Sequence, residues 1–254
     1  MVVRARCSFC KHLFAKKYSA QRFCSITCSN RYNLNGKVAV ATPHNYNNNL
    51  AEFFGILLGD GSTAEYFTRV YRNRVADKPY APFVINLAKQ LFPNIPVRYR
   101  ERVDNGTIEI QISVRGVGDY LRKIGFNPKT RKVPVWITKN REFSISTVRG
   151  LFDTEGSVGI KFFHGKKGNY FYKQLTVTNT NQNILNFLRK TLSSLGFHPT
   201  RTRNKNIYIS NRKDIYKYMN IVGSHNPKLI KRLITVKIHQ FTYGGLRRMV
   251  RHQS

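Results

Sequence analysis

Acidic residues are scarce in this chain. Only 12 of its 254 residues are Asp or Glu, against 44 Lys and Arg, which gives a formal net charge of +32. So many cations of one sign exclude a strongly basic partner and point to a polyanion, above all nucleic acid. Cysteine is scarce and confined as well: all four lie within the first 28 residues. No disulfide framework can run through the chain, and an intracellular, reducing setting is expected. No apolar run approaches the roughly 18 residues needed to span a bilayer, and the N-terminus lacks the apolar core of a secretory signal, so no membrane partner is expected. The hydrophobic content of 41% excludes a basic disordered tail, and the length suffices for one large domain or two small ones. Charge alone fits a ribosomal or other RNA-binding structural protein as well as an enzyme. It names nucleic acid, not chemistry.

The four cysteines form Cys7-x2-Cys10 and Cys24-x3-Cys28, separated by 13 residues. Four thiolates at that spacing suit tetrahedral zinc, and a segment of about 35 residues has too little core to fold unstapled. Two local disulfides or free thiols are the alternative. The stretch looks like a treble-clef-type finger, with the second pair opening a short helix. Residues 1–35 are therefore read as a four-cysteine zinc-finger module with Zn2+ on Cys7, Cys10, Cys24 and Cys28. Residues 36–49, with Pro43 and an Asn-rich run, lack periodicity and read as a passive linker.

Two later stretches share one grammar. The first is Phe53-Phe54-Gly55-Ile56-Leu57-Leu58-Gly59-Asp60-Gly61-Ser62; the second is Val148-Arg149-Gly150-Leu151-Phe152-Asp153-Thr154-Glu155-Gly156-Ser157. Each is an apolar helix with small residues at i and i+4, ending in an acid followed by Gly-Ser. Glycine within a helix costs about 1 kcal/mol against alanine, so Gly55, Gly59 and Gly150 imply a close helix–helix approach that a Cβ would block. Packed through those faces, the two helices bring Asp60 and Glu155 together. A paired-carboxylate site is thus expected in a very basic protein.

Both stretches resemble the LAGLIDADG motif of homing endonucleases. The first departs from it in having Leu58 at the earlier acidic position, which Asp153 keeps in the second. The resemblance covers roughly residues 50–235. The acids lie 155 − 60 = 95 residues apart, and the patterns between them repeat: motif helix, hairpin, helix, hairpin, helix. Periodicity places helices at 80–91, 118–124, 182–195 and 213–221, and strands at 65–71, 97–103, 107–113, 157–163, 170–178, 200–203 and 206–210. The expected fold is α+β: two pseudo-symmetric αββαββα repeats, 50–140 and 141–235, with DNA-facing antiparallel sheets, the small zinc finger in front and a basic tail, 236–254, behind.

Hard carboxylate oxygens select Mg2+ or Mn2+, and such ions supply what phosphodiester hydrolysis needs: charge neutralisation, an activated water and a stabilised leaving oxygen. Asp60 and Glu155 are the expected ligands, with backbone carbonyls near Gly59 and Thr154 completing the coordination. The resemblance further implies one basic residue per repeat near the phosphate, for which Lys228 and, in the first half, Lys132 rather than Lys129 are the candidates. It also implies a polar water-organising residue, Asn179, with Asn73 as the first-half counterpart. Strand faces offer Arg69, Arg72, Arg74, Arg98, Arg100 and Arg102 in the first repeat, and Lys161, Lys173, Arg201, Arg203 and Lys205 in the second, as DNA contacts. The expectation is a monomeric site-specific endonuclease cutting a long asymmetric duplex. An intron maturase, with intron RNA as a partner, and a cleavage-dead DNA-binding regulator are the rival readings on the same scaffold.

Overall fold

The structure, a computed structural model, describes residues 3–35, 41–64, 67–93, 95–165, 168–202 and 205–235. Arg203 and the tail from residue 236 lie outside the described residues. At the N-terminus, β1 (Arg4–Arg6) pairs antiparallel with β2 (Leu13–Ala15), and α1 (Ile26–Asn35) follows. The first repeat comprises α2 (Asn48–Asp60), β3 (Gly61–Thr63), β4 (Thr68–Asn73), α3 (Ala81–Leu91), β5 (Val97–Arg102), β6 (Thr107–Ile112) and α4 (Arg115–Lys123). A short α5 (Val135–Thr138) connects it to the second. There, α6 (Arg141–Glu155), β7 (Gly156–Gly165), β8 (Gly168–Thr178), α7 (Gln182–Ser194), β9 (Thr200–Thr202), β10 (Asn206–Ile209) and α8 (Arg212–Ile221) run in the same order, and α9 (Pro227–Thr235) follows. The sheets have matching antiparallel orders, β3-β4-β6-β5 and β7-β8-β10-β9. The αββαββα repeat is present twice.

Both long helices start on asparagine caps. Asn47 Oδ1 accepts from Leu50 N at 2.8 Å, and Asn140 Oδ1 from Phe143 N at 3.0 Å, satisfying otherwise orphaned donors. Helix α2 is buried from Leu50 to Gly59, as an all-round apolar helix must be. It lies against α6 through the small faces. A Cβ on Gly55 would collide with the Thr147 carbonyl oxygen, and one on Gly150 would sit 2.9 Å from Ile56 N and collide with the Glu52 carbonyl. Neither obstacle is a flexible side chain. Thr147 Oγ1 donates to Ala51 O at 3.0 Å and ties the helices further.

Each sheet buries one face beneath its helices. On β6, Ile108, Ile110 and Ile112 are buried and pair with the neighbouring strands. In the second sheet Leu175, Val177, Ile207 and Ile209 do the same. The segment before α2 is anchored, not a passive linker: Tyr46 stacks on Trp136 at 4.2 Å, and Tyr120 Oη donates to Pro43 O at 3.2 Å. Residues 36–40 of that segment lie outside the described residues. Strand β3 and helix α9 were not expected from periodicity, the first because it is only three residues long.

Candidate functional site

Asp60 closes α2 and Glu155 closes α6, and each is followed at once by the first strand of its sheet. Close packing makes the acids neighbours: a Cβ on Gly59 would meet Thr154 and come within 3.2 Å of Glu155 Cγ. Burial raises the Asp60 carboxyl above the usual range, and Asp77 adds to the rise while Arg72 and Arg131 oppose it. Burial also raises Glu155, the Asp60 charge adds to it, and Arg131, Arg72 and a hydrogen bond with Asn179 pull the other way. Two half-buried acids at helix C-termini oppose both each other and the helix dipoles.

Sheet register shows what answers that repulsion. The glycine after each acid pairs with a valine, Gly61 with Val70 and Gly156 with Val177. Two residues beyond those valines stand Arg72 and Asn179, so these are structural counterparts. Arg72 Nη1 donates to Asp60, and Nη2 reaches Asp77 Oδ2 and Asp153 O, both at 3.1 Å. Arg72 shares its strand face with buried Thr68 and Val70, which corrects its expected place on an exposed face. Asn73, the guessed counterpart of Asn179, instead turns the chain: its Oδ1 accepts from Val75 N and Ala76 N at 3.0 and 2.8 Å.

The basic residues have partners that spacing alone does not reveal. Lys228 Nζ lies 2.5 Å from Asp77 Oδ1, completing a line Asp60–Arg72–Asp77–Lys228 that joins the two repeats. Although burial pushes the Asp77 carboxyl up, Arg72 and Lys228 hold it below the usual range. In the first half Lys132 is exposed, and its neighbour Arg131 is the basic residue that turns to the end of α2. Its backbone has φ +48°, and its Nη1 donates to Leu58 O at 2.6 Å and Gly59 O at 2.5 Å. The Gly59 carbonyl, expected on a metal, is thus bonded to a guanidinium. The hydroxyl of Thr154 turns back to its own helix, to Gly150 O and Leu151 O, both at 3.0 Å. The loop carrying Arg131 is tied to the second repeat, where Asn181 and Asn183 amides donate to Thr130 O at 3.1 and 2.9 Å.

Beside the acids, Asp153 accepts from Ser224 Oγ and from His225 N, the latter at 2.8 Å. His225 Nδ1 lies 2.6 Å from Glu52 Oε1, and Arg149 Nη1 donates to Glu52 Oε2 at 3.0 Å. These three ligand-capable residues are close enough to hold an ion, but hydrogen bonds and Arg149 already occupy their oxygens. The cluster locks the segment leading to Lys228 onto the motif helices. Sequence reasoning missed it, as it missed Arg131.

Among the expected DNA contacts, Arg69, Arg98, Arg100 and Arg102 stand on one outward sheet face. Arg74 lies just past β4, with Nη1 4.0 Å from Glu101 Oε2. Lys161 is exposed on β7, and Lys205 is exposed in the turn before β10, its carbonyl accepting from Asn179 N at 2.8 Å. Two others leave the outward face. Lys173 is buried, its ammonium bonded to Leu233 O and its pKa lowered by burial. Arg201 shares the parity of buried Ile207 and reaches Asn186 Oδ1 at 2.8 Å and Gln182 on α7. The reason is the two-residue period of a strand: neighbours of an outward residue point inward however basic they are.

At the N-terminus, the four cysteine sulfurs converge within 4.8 Å of one another, with Cys10–Cys24 at 3.6 Å and Cys24–Cys28 at 3.5 Å. Zinc–sulfur bonds of about 2.3 Å in a tetrahedron set sulfurs at about this separation. Hydrogen bonding with the neighbouring Cys28 and Cys10 thiols raises the Cys24 pKa to about 12, the conflict that a divalent cation relieves. The cluster fits Zn2+.

The family model for the LAGLIDADG-like domain matches residues 142–234. Residues 142–234 thus form a LAGLIDADG-like domain. An uncharacterized protein of Methanocaldococcus jannaschii is 32% identical over 157 residues, covering 60% of this chain and 56% of its own length. The DNA-directed RNA polymerase subunit Rpo1C of the same organism is 22% identical over 204 residues, covering 76% of this chain and 22% of the subunit. The chain thus spans about half of the first relative and about a fifth of the second. Full-length DUF199/WhiA from Thermatoga maritima superposes with a TM-score of 0.50 at 17% identity, over 84% of this chain and 69% of WhiA. The homing endonuclease I-DmoI, solved in complex with DNA and Mn, gives 0.48 at 18%, over 69% and 96%. The model match lies in the second repeat, and the matching strand orders show that the first repeat has the LAGLIDADG topology too.

Proposed function

We propose that this chain is a site-specific DNA endonuclease. It holds duplex DNA along the outward sheet faces and hydrolyses one phosphodiester bond in each strand. The observation that carries the reading is the meeting of Asp60 and Glu155 at adjacent helix ends, beside Arg72, Arg131, Asn179 and Lys228. The carboxylate pair fits a hard divalent cation, Mg2+ or Mn2+, since burial still raises both acids above their usual range despite the nearby arginines. Such an ion supplies a polarised phosphate and a water of lowered pKa. Asn179 orients whatever donor approaches Glu155. Arg131 neutralises the end of α2 and lies within reach of both acids. Lys228, held by Asp77, adds positive charge at the junction of the repeats. The N-terminal module, with Zn2+ on its four cysteines, adds a basic surface beside Arg4, Arg6 and Arg22. Duplex DNA is the partner, intron RNA a secondary one, and one chain suffices because both repeats reside in it.

One observation favours a second reading, a regulator that binds without cutting. Arg72 and Arg131 already neutralise the acids, and Arg131 holds the Gly59 carbonyl. Incubation of a randomised duplex library with Mg2+ decides between the two, comparing wild type, Asp60→Asn, Glu155→Gln and the Mg2+-free reaction. Double-strand breaks in one sequence context, lost in both variants while binding persists, support the nuclease. Specific binding without breaks establishes the regulator, and preferential binding of structured RNA moves the reading to a maturase.

A further inference from the structure

The outward faces of the two sheets present different chemistry to a duplex. We propose that the first repeat reads a G·C-rich half-site through arginines, and that the second reads an A·T-rich half-site through uncharged side chains. The inference rests on the duplex-DNA reading above.

Register places Arg69 of β4, Gln111 of β6 and Arg98 of β5 in one row across the first sheet. Tyr71, Glu109 and Arg100 form the next row, and Asn73, Thr107 and Arg102 the third. The face is concave, a groove of about 440 Å³ lined by four arginines with Glu109 and Gln111 on its floor. Two of the guanidiniums are held in place. Arg69 Nε donates to Gln111 Oε1 at 2.6 Å, and its guanidinium carbon lies 3.7 Å from the Phe67 ring centroid. Arg102 Nη2 donates to Glu109 Oε2 at 2.8 Å. Its Nη1 also donates to Tyr71 Oη, a long 3.4 Å bond, which leaves Nη2 to meet a guanine O6 or N7 in the major groove. Arg98 and Arg100 are exposed, and neither forms an ion pair among the described residues. Alternate residues on a strand are about 6.6–6.8 Å apart, close to two base-pair steps of about 3.4 Å each. Arg98, Arg100 and Arg102 therefore fall in step with every second base pair.

The second sheet differs at the same rows. Outward positions on β8 hold Tyr172, Gln174, Thr176 and Thr178, and those on β10 hold Asn206 and Tyr208. Among the described strand residues of this face, Lys161 alone is charged. Gln and Asn match adenine N6 and N7, and threonine methyls pack on the thymine methyl. Of the basic side chains that sequence suggested for the second repeat, Lys173 and Arg201 point to the helices instead, and Lys161 and Lys205 stay exposed. What remains is a surface that favours A·T pairs.

The test is selection of bound duplexes from a random library by the full-length, zinc-loaded protein without Mg2+, followed by footprinting. One half-site should show guanines at alternate base pairs, and the other should be dominated by A·T. Arg98→Gln and Arg100→Gln should each relax one guanine position by about ten-fold or more and leave the other half-site unchanged. Two half-sites of equal G·C content would overturn the proposal. So would equal loss of affinity for every sequence, with the salt slope falling by about one per arginine, because that marks phosphate contacts. Failure to select any duplex would sink the DNA reading itself, and is distinct from selection of duplexes without the compositional split.

Discussion

Replacing Gly55 by alanine sets two large effects against each other. In an isolated helix the change stabilises by about 1 kcal/mol. Here the new methyl would overlap the Thr147 carbonyl oxygen and sit 3.1 Å from Thr147 Cα. Both are backbone, so no rotamer change relieves the overlap; α2 and α6 must separate along their whole contact. Overpacking of this kind costs about 1–3 kcal/mol, occasionally more, and the upper part of that range applies because backbone meets backbone. The net expectation is a loss of about 2 kcal/mol, or roughly 4–8 °C in Tm for a chain of this size. Gly159→Ala is the control, since a Cβ there meets nothing within 4 Å. Thermal melts of both variants, followed by circular dichroism, check the argument. A Gly55→Ala protein as stable as wild type, or more so, would refute backbone-close packing of the motif helices and with it the adjacency of Asp60 and Glu155.

Asp77 has a pH signature. Its folded pKa lies below the unfolded value, so its contribution is present above about pH 4 and lost as pH falls through the folded pKa. Asp77→Asn leaves Arg72 with one carboxylate fewer, and should cost about 3 kcal/mol at pH 7 but progressively less below pH 4, measured by urea unfolding across that range. Removing zinc with a strong chelator should release one equivalent of metal and unfold the N-terminal module while the main melting transition stays in place; a shift of that transition would show the module to be part of the core. The acids are also inequivalent, since Asp60 is ion-paired to Arg72, whereas Glu155 feels Arg131 and Arg72 through their charge and is hydrogen-bonded to Asn179. Strand cleavage directed by Glu155 should therefore be the faster, with nicked plasmid accumulating before linear product. Asp60→Asn should still nick, whereas equal rates in both strands would count against a role for Arg72.

Whatever depends on short-range spacing is legible in the sequence. The glycines at i and i+4, the acid-Gly-Ser endings and the 95-residue repeat report on local helices and on an internal duplication, and they lead directly to the paired acids. The cysteine spacing does the same for the metal cluster. What escapes a sequence reading depends on register or on distant partners. Grouping Arg72 with Arg69 on an outward face ignores that three residues apart on a strand means opposite faces; counting by twos from Val70 finds it. Arg131 cannot be told from Lys129 or Lys132 by sequence, because its entry into the site depends on a positive φ that follows from the Asn127 turn. The Glu52–His225 contact joins residues 173 apart, and no periodic signal reports such a pair.

The two repeats solve one electrostatic problem in two ways. Each ends a helix with a half-buried acid, where the dipole, the neighbouring acid and desolvation all oppose the charge. In the first repeat the answer is permanent: Arg72 is fixed by Asp77, and Asp77 is fixed by Lys228 from the other repeat. In the second, Arg131 and Arg72 act on Glu155 through their charge, and its side-chain hydrogen bond is to an amide, Asn179, rather than to a paired guanidinium. A divalent cation would therefore stabilise the Glu155 side more than the Asp60 side, because the Asp60 side already has its counter-ion. Symmetry of fold does not require symmetry of charge. The Asp60–Arg72–Asp77–Lys228 line also couples the halves, so a change in how α9 sits reaches the first acid through three ion pairs, the middle one on the turn that follows β4.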